Sequence, residues 1–300
     1  MTTWSLSNSA KAQRLERAFS NRDIDFRTQG FCDHPNFLRA EASDPRFLES
    51  YAEYVEVRPY TTDYLEDARC KITVAAEAVR LAVAKDGRLG ACVDVASMLG
   101  RMLDRLGVWN YNAKTCLTIH YPDHMDVPDT YFYGVDTNQF TAPHAIIVAP
   151  PFCVVDVSAK YQPFRHPRQS TCIPERVLQE QFISARWNYS DIASPEVQAL
   201  VQFRGGHIER YLRSEYGSMY EVAAKLPARM IEPASSDSAA LKYVIVAVGG
   251  VIEPLEGVLA TNQVAEPPWK FSKRTFSRTC RRPLTVFLTW TTDRKGITYE

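Results

Sequence analysis

Gly90-Ala91-Cys92-Val93-Asp94-Val95-Ala96-Ser97-Met98-Leu99-Gly100-Arg101-Met102-Leu103-Asp104-Arg105-Leu106-Gly107 is the stretch from which the fold of this chain is read. Cys92, Val95, Ala96, Leu99, Met102, Leu103 and Leu106 recur at steps of three and four and make one apolar face. The spacing predicts a helix over 92–106. Gly90 marks its start, and Gly107 stands just past its end, where glycine commonly closes a helix. Cys92 therefore lies in the first turn. There the positive end of the helix dipole lowers a thiol's pKa and favours the thiolate.

Two strand-like runs follow downstream. His144-Ala145-Ile146-Ile147-Val148 begins with a histidine, and Val154-Val155-Asp156-Val157-Ser158 holds a carboxylate. The strands are expected near 144–149 and 152–158, joined by Pro150-Pro151. If they pair antiparallel, His144 and Asp156 can face one edge near the start of the cysteine helix. A thiol with a pKa of ~8.5 is mostly protonated at neutral pH. An adjacent imidazole takes its proton, and a carboxylate fixes that imidazole's tautomer and orientation. Cys92, His144 and Asp156 are thus the candidate catalytic residues. The competing reading is a buried core cysteine and a structural histidine, since free cysteines are usually buried. Three suitable side chains in order, each on a stiff element, favour the site.

The cysteine helix and the two strands also resemble a known family. Gly90-Ala91-Cys92-Val93-Asp94-Val95-Ala96, with Leu99, Leu103 and Leu106-Gly107, looks like the nucleophile helix of the transglutaminase-like superfamily, which typically reads G-x-C-x-D-x-A and ends in L-G. His144-Ala145 resembles its histidine strand, and Val155-Asp156-Val157-Ser158 its acid motif, usually written D-P-T. Val157 replaces the proline, and 122–143 is an unusual insertion. The likeness covers about residues 63 to 160. It implies an α+β, papain/transglutaminase-like fold with the nucleophile helix packed on an antiparallel sheet. It also implies Cys92 as nucleophile, His144 as base and acid, and Asp156 as the orienting acid. Asp94 is assigned a structural role. More distantly, Val155-Asp156-Val157 and Arg88-x-Gly90-x-Cys92 resemble arylamine N-acetyltransferases, although Leu89 stands where they carry glycine.

The rest of the chain is read from pattern. Helices are expected over 9–19 and 63–84, and a strand over 112–121. Residues 31–60 are mixed, with Pro35, Pro45 and Pro59 as breakers. The insertion 122–143 reads as a loop, and helical patterns return over 174–187 and 195–226. Glu232 to Ala240 reads as a linker, with strand candidates beyond it at 243–248, 251–259 and 284–290. The domain expectation is a transglutaminase-like domain over 1–231 and a β-rich C-terminal extension or small domain over 241–300.

Composition bounds the function. The chain has 300 residues, 45% hydrophobic and 23% charged, enough for a packed core. Its 35 basic and 35 acidic residues cancel, which removes any global attraction to nucleic acid or anionic membrane. Seven irregularly spaced cysteines without a CxxC argue against a disulfide framework and a structural zinc site. No stretch reads as a signal peptide or a membrane span. A soluble, cytoplasmic protein in a reducing compartment is expected, with no cofactor and no metal. The expected partner is a peptide, protein or small amide substrate. The loop residues Tyr121, His124, Tyr131, Phe132, Tyr133 and Phe140 can form a substrate lid, and His120, His124, Asp123 and Asp126 offer a weak metal set. Trp269 to Arg282 mixes basic and aromatic residues, a nucleic-acid-binding pattern that is more often a solvated strand face.

Overall fold

The computed structural model describes residues 4–137 and 143–249, and prolines open rather than break the helices of its N-terminal part. Helix α1 (Ser9–Ser20) is capped by Asn8, whose side chain accepts from the Lys11 N–H at 3.0 Å. Pro35 is the first residue of α2 (Pro35–Ser43), and Pro45 opens a 3-10 turn leading into α3 (Leu48–Val57). Proline lacks only an N–H that a first turn leaves unpaired anyway. Helix α4 (Thr62–Asp86) starts at a Thr61 cap and stops at Gly87, where φ is 70°. The cysteine helix, α5, runs from Cys92 to Arg105.

Among the described residues, eight strands form one curled antiparallel sheet: β1 (Tyr111–His120), β2 (Thr130–Phe132), β3 (His144–Ala149), β4 (Phe152–Asp156), β5 (Val177–Gln179), β6 (Ile183–Ala185), β7 (Ala228–Ile231) and β8 (Ala240–Gly249). Their order is β5-β4-β3-β1-β8-β7-β6, with β2 also paired to β1. Strand β1 pairs with β3 over its first half and with β2 over residues 117–119. The fold class is α+β.

Each sheet face is buried. One carries Tyr111, Leu117, Ile146, Val154, Tyr243 and Ile245 against α1–α3. On the other, Ile147 and Val155 pack against α4 and α5 through Ile72, Val79, Leu99 and Leu103. Gly100 lets α5 lie close to β1, because a Cβ there would sit 2.8 Å from Asn112 Oδ1. The remainder of that face packs against α6 (Tyr189–Ile192), α7 (Pro195–Phe203), α8 (Ile208–Glu215) and α9 (Gly217–Lys225).

One expectation is corrected. The 174–187 stretch holds strands β5 and β6, not a helix. Pairing with β4 and β7 supplies backbone partners there, and this outweighs a weak helical period. The 195–226 stretch is three helices, interrupted at Gly205-Gly206 and at Tyr216-Gly217. Residues 232–239 connect β7 to β8, and β8 lies between β1 and β7 in the main sheet. The 241–300 expectation therefore begins inside that sheet. Its part beyond Gly249, with the 251–259 and 284–290 strands and the Trp269–Arg282 segment, lies outside the described residues. No helix among the described residues is long and apolar enough to cross a membrane. Cys32, Cys92, Cys116, Cys153 and Cys172 are free thiols.

Candidate active site

The structure brings Cys92, His144 and Asp156 together where α5 begins against the sheet. Gly90, at φ 75°, makes the left-handed turn into the helix that L side chains resist. Its N–H donates to the Tyr161 carbonyl at 2.9 Å. That bond ties the start of α5 to the chain segment that leaves Asp156. Asp94 in the first turn pairs with Arg88 at 2.6 Å, which anchors the preceding loop and suits the helix dipole.

Strands β3 and β4 form a hairpin through Pro150-Pro151, with Ile147 opposite Val155. His144 and Asp156 consequently lie diagonally across it, and His144 Nε2 meets Asp156 Oδ2 at 2.6 Å. Both side chains are fully enclosed. The carboxylate is saturated with donors. Its Oδ1 accepts from the Ser158 N–H at 2.8 Å, the Ser158 hydroxyl at 3.0 Å and the Ala159 N–H at 3.0 Å. Its Oδ2 accepts the Tyr243 hydroxyl at 3.0 Å as well as the imidazole. Burial works against its charge, yet the His144 cation and the Ser158 donors hold Asp156 below the usual carboxylate range.

The electrostatics of the pair agree. Burial disfavours a charged imidazole, but Asp156, and then Cys92, outweigh it and push His144 up to about 10. Burial likewise opposes a thiolate at Cys92, and the imidazole together with the Ala145 backbone N–H overcomes it, so the thiol lies below its ordinary range. A lowered thiol beside a raised imidazole is the ordering that favours passing the sulfur proton to the imidazole. His144 Nδ1 is buried and has no aligned hydrogen-bond partner among the described residues. Since Nε2 is committed to Asp156, Nδ1 is the atom left to exchange a proton with sulfur. The Cys92 thiol is the side chain that acts on this imidazole besides Asp156.

Backbone donors are also at hand. Ala91 gives α5 no side-chain cap, and the first intrahelical bond is Val95 N–H to the Ala91 carbonyl. The N–H groups of Cys92, Val93 and Asp94 are thus free of helical partners and can receive developing negative charge on an acyl oxygen.

The sequence reading missed two neighbours, Ser158 and Tyr243. Ser158 was inside the quoted run, and the Asp-x-Ser spacing is an Asx-turn signal that could have assigned it. The Phe132 ring of β2 stands 6.0 Å from the His144 ring, which places one residue of the expected aromatic lid beside the site. Tyr243 is 87 residues from Asp156, and no local pattern links them. Tyr131 and Tyr133 stack on each other at 5.4 Å, and Phe140 lies outside the described residues. In the weak metal set, His120 pairs with Asp129 at 2.6 Å and His124 approaches Asp237 at 3.4 Å, so the two histidines turn to different partners.

Comparisons of the chain with protein-family models, with curated proteins and with solved structures give no significant match, so the reading of this site rests on its residues and geometry.

Proposed function

We propose that the chain is a cysteine-dependent hydrolase or acyltransferase that acts on amide or peptide bonds through a thioester, on a papain-like fold similar to that of the transglutaminase-like superfamily. The observation that carries the proposal is the 2.6 Å His144–Asp156 contact beneath a thiol whose acidity the same imidazole raises. A core cysteine has no need of that arrangement. Two other buried thiols, Cys116 and Cys153, are pushed up to about 12 and about 11 by burial.

In the proposed mechanism the Cys92 thiolate attacks the carbonyl carbon, and the C=O π electrons move to oxygen. The Cys92 N–H stabilises that oxyanion. As the C–N bond breaks, His144 Nδ1 gives its proton to the departing amine, leaving a thioester and a neutral imidazole. Water or a second amine then attacks the thioester while His144 takes its proton. The C–S bond breaks and the thiolate–imidazolium pair is restored. Asp156 keeps Nε2 protonated throughout, so that Nδ1 is the nitrogen that cycles.

The test is incubation with peptide amides, with peptide amides plus a primary amine, and with acyl-coenzyme A plus an arylamine, for wild type and Cys92→Ala. The proposal expects amine release or transfer in wild type and none in the variant, with an acyl adduct on Cys92 by mass spectrometry. A second reading, a non-catalytic binding module on this fold, draws on the enclosure of the thiol, since Cys92 is only 5% exposed. It expects no adduct from any of the three mixtures.

A further inference from the structure

Strand β8 contributes a group to the site that the proposed mechanism does not use. Tyr243 is completely buried, and its hydroxyl donates to Asp156 Oδ2 at 3.0 Å. That same oxygen takes the His144 Nε2–H at 2.6 Å. The other carboxylate oxygen already has three donors from Ser158 and Ala159, so Tyr243 is not needed to fix the carboxylate's plane. What the hydroxyl does is divide the charge of the one oxygen that faces the imidazole.

We propose that Tyr243 is a positioning residue that acts through Asp156, drawing charge from Oδ2 and so weakening that oxygen's hold on the His144 proton. The inference rests on the reading of Cys92 as a nucleophile with His144 as its acid and base. An imidazolium locked to a bare buried carboxylate is a poor acid toward a departing amine, because efficient proton transfer needs a pKa near the working pH. A phenol shared on that carboxylate lowers the imidazolium's pKa without removing the pairing that sets its tautomer. Among the described residues, the titratable groups that act on this imidazole–carboxylate pair are Cys92 from α5 and Tyr243 from β8. Strand β2 presents the Phe132 ring, and β1 presents Thr115, whose hydroxyl donates to the His144 carbonyl at 3.3 Å.

The experiment is an NMR titration of 13C-labelled histidine in the full chain, with the His144 signal assigned by its loss in His144→Ala. Tyr243→Phe removes only the hydroxyl. It should raise the His144 midpoint by about one pH unit, the size expected for one hydrogen bond to a charged group. Site-specific 3-fluorotyrosine at position 243 keeps the shape and strengthens the donor, and it should lower the midpoint. Opposite shifts in the two proteins support the proposal, and the fluorinated protein alone decides it if the phenylalanine variant does not fold. A wild-type midpoint that is raised but unmoved by either change overturns the role of Tyr243 and leaves the nucleophile reading standing. A wild-type midpoint near the ordinary ~6.5 overturns both.

Discussion

Asp156→Asn is the substitution whose consequences follow most closely from the structure. The asparagine oxygen can keep the Ser158 and Ala159 donors, which places its NH2 group against the His144 Nε2–H and the Tyr243 hydroxyl. Donors then face donors. The imidazole relieves this by losing its charge and accepting at Nε2, which puts the remaining N–H on Nδ1. That nitrogen can no longer take the Cys92 proton, and the thiolate is lost. Returning the imidazole from about 10 to its ordinary 6.5 gives up at most ~5 kcal/mol, at ~1.4 kcal/mol per pH unit. Breaking one side of a buried charge pair typically costs roughly 3–5 kcal/mol, so a loss of that size is expected. The pH dependence has a definite sign. His144 is raised on folding, so its contribution is full below its ordinary 6.5 and is lost as pH rises through about 10. Asp156 is lowered on folding, so its contribution is full above its ordinary 3.8 and is lost in acid. Urea unfolding of wild type and variant across pH should therefore show the largest gap at about pH 4 to 6.5, narrowing on both sides. A gap that is absent, or equal at every pH, would refute the ion-pair reasoning.

Asp104, near the far end of α5, is pushed up to about 7 by burial in spite of Arg101 and Asn110. Its folded value is raised, so wild type should lose stability as pH climbs from about 4 through 7, by at most ~4 kcal/mol. Asp104→Asn should flatten that decline and raise the thermal midpoint at mildly basic pH but not in acid. The buried Arg229–Glu56 pair joins β7 to α3, and the Tyr111 hydroxyl donates to Glu56 at 2.6 Å. Glu56→Ala should cost roughly 3–5 kcal/mol by leaving the guanidinium unpaired, whereas replacing both members by methionine should restore much of the loss in thermal melts.

What could be read from the sequence was local. Helix α5 was expected over 92–106 and runs Cys92–Arg105, because an amphipathic period and a closing glycine act within a few residues. Strands β3 and β4 were found for the same reason, and their proximity followed from the short Pro150-Pro151 connection. The expected sites Cys92, His144 and Asp156 sit on those three elements. Features set by distant pairing were not legible. Strand β8 gives the site a tyrosine, but its own residues do not say that it lies beside β1 rather than in a separate unit. Strands β5 and β6 depend on partners that sequence cannot place. Pro35 and Pro45 open helical elements, where the missing N–H costs nothing, and the residue type alone does not separate that position from a helix interior.

The central claim is that Cys92 is a thiolate held by His144. The measurement that tests it most directly is the rate of iodoacetamide labelling of Cys92 across pH, read by peptide mass, for wild type and His144→Ala. The account predicts fast labelling well below the ordinary thiol pKa of ~8.5, lost in the variant. Labelling that follows an ordinary or buried thiol, and that is unchanged when the imidazole is removed, would contradict it.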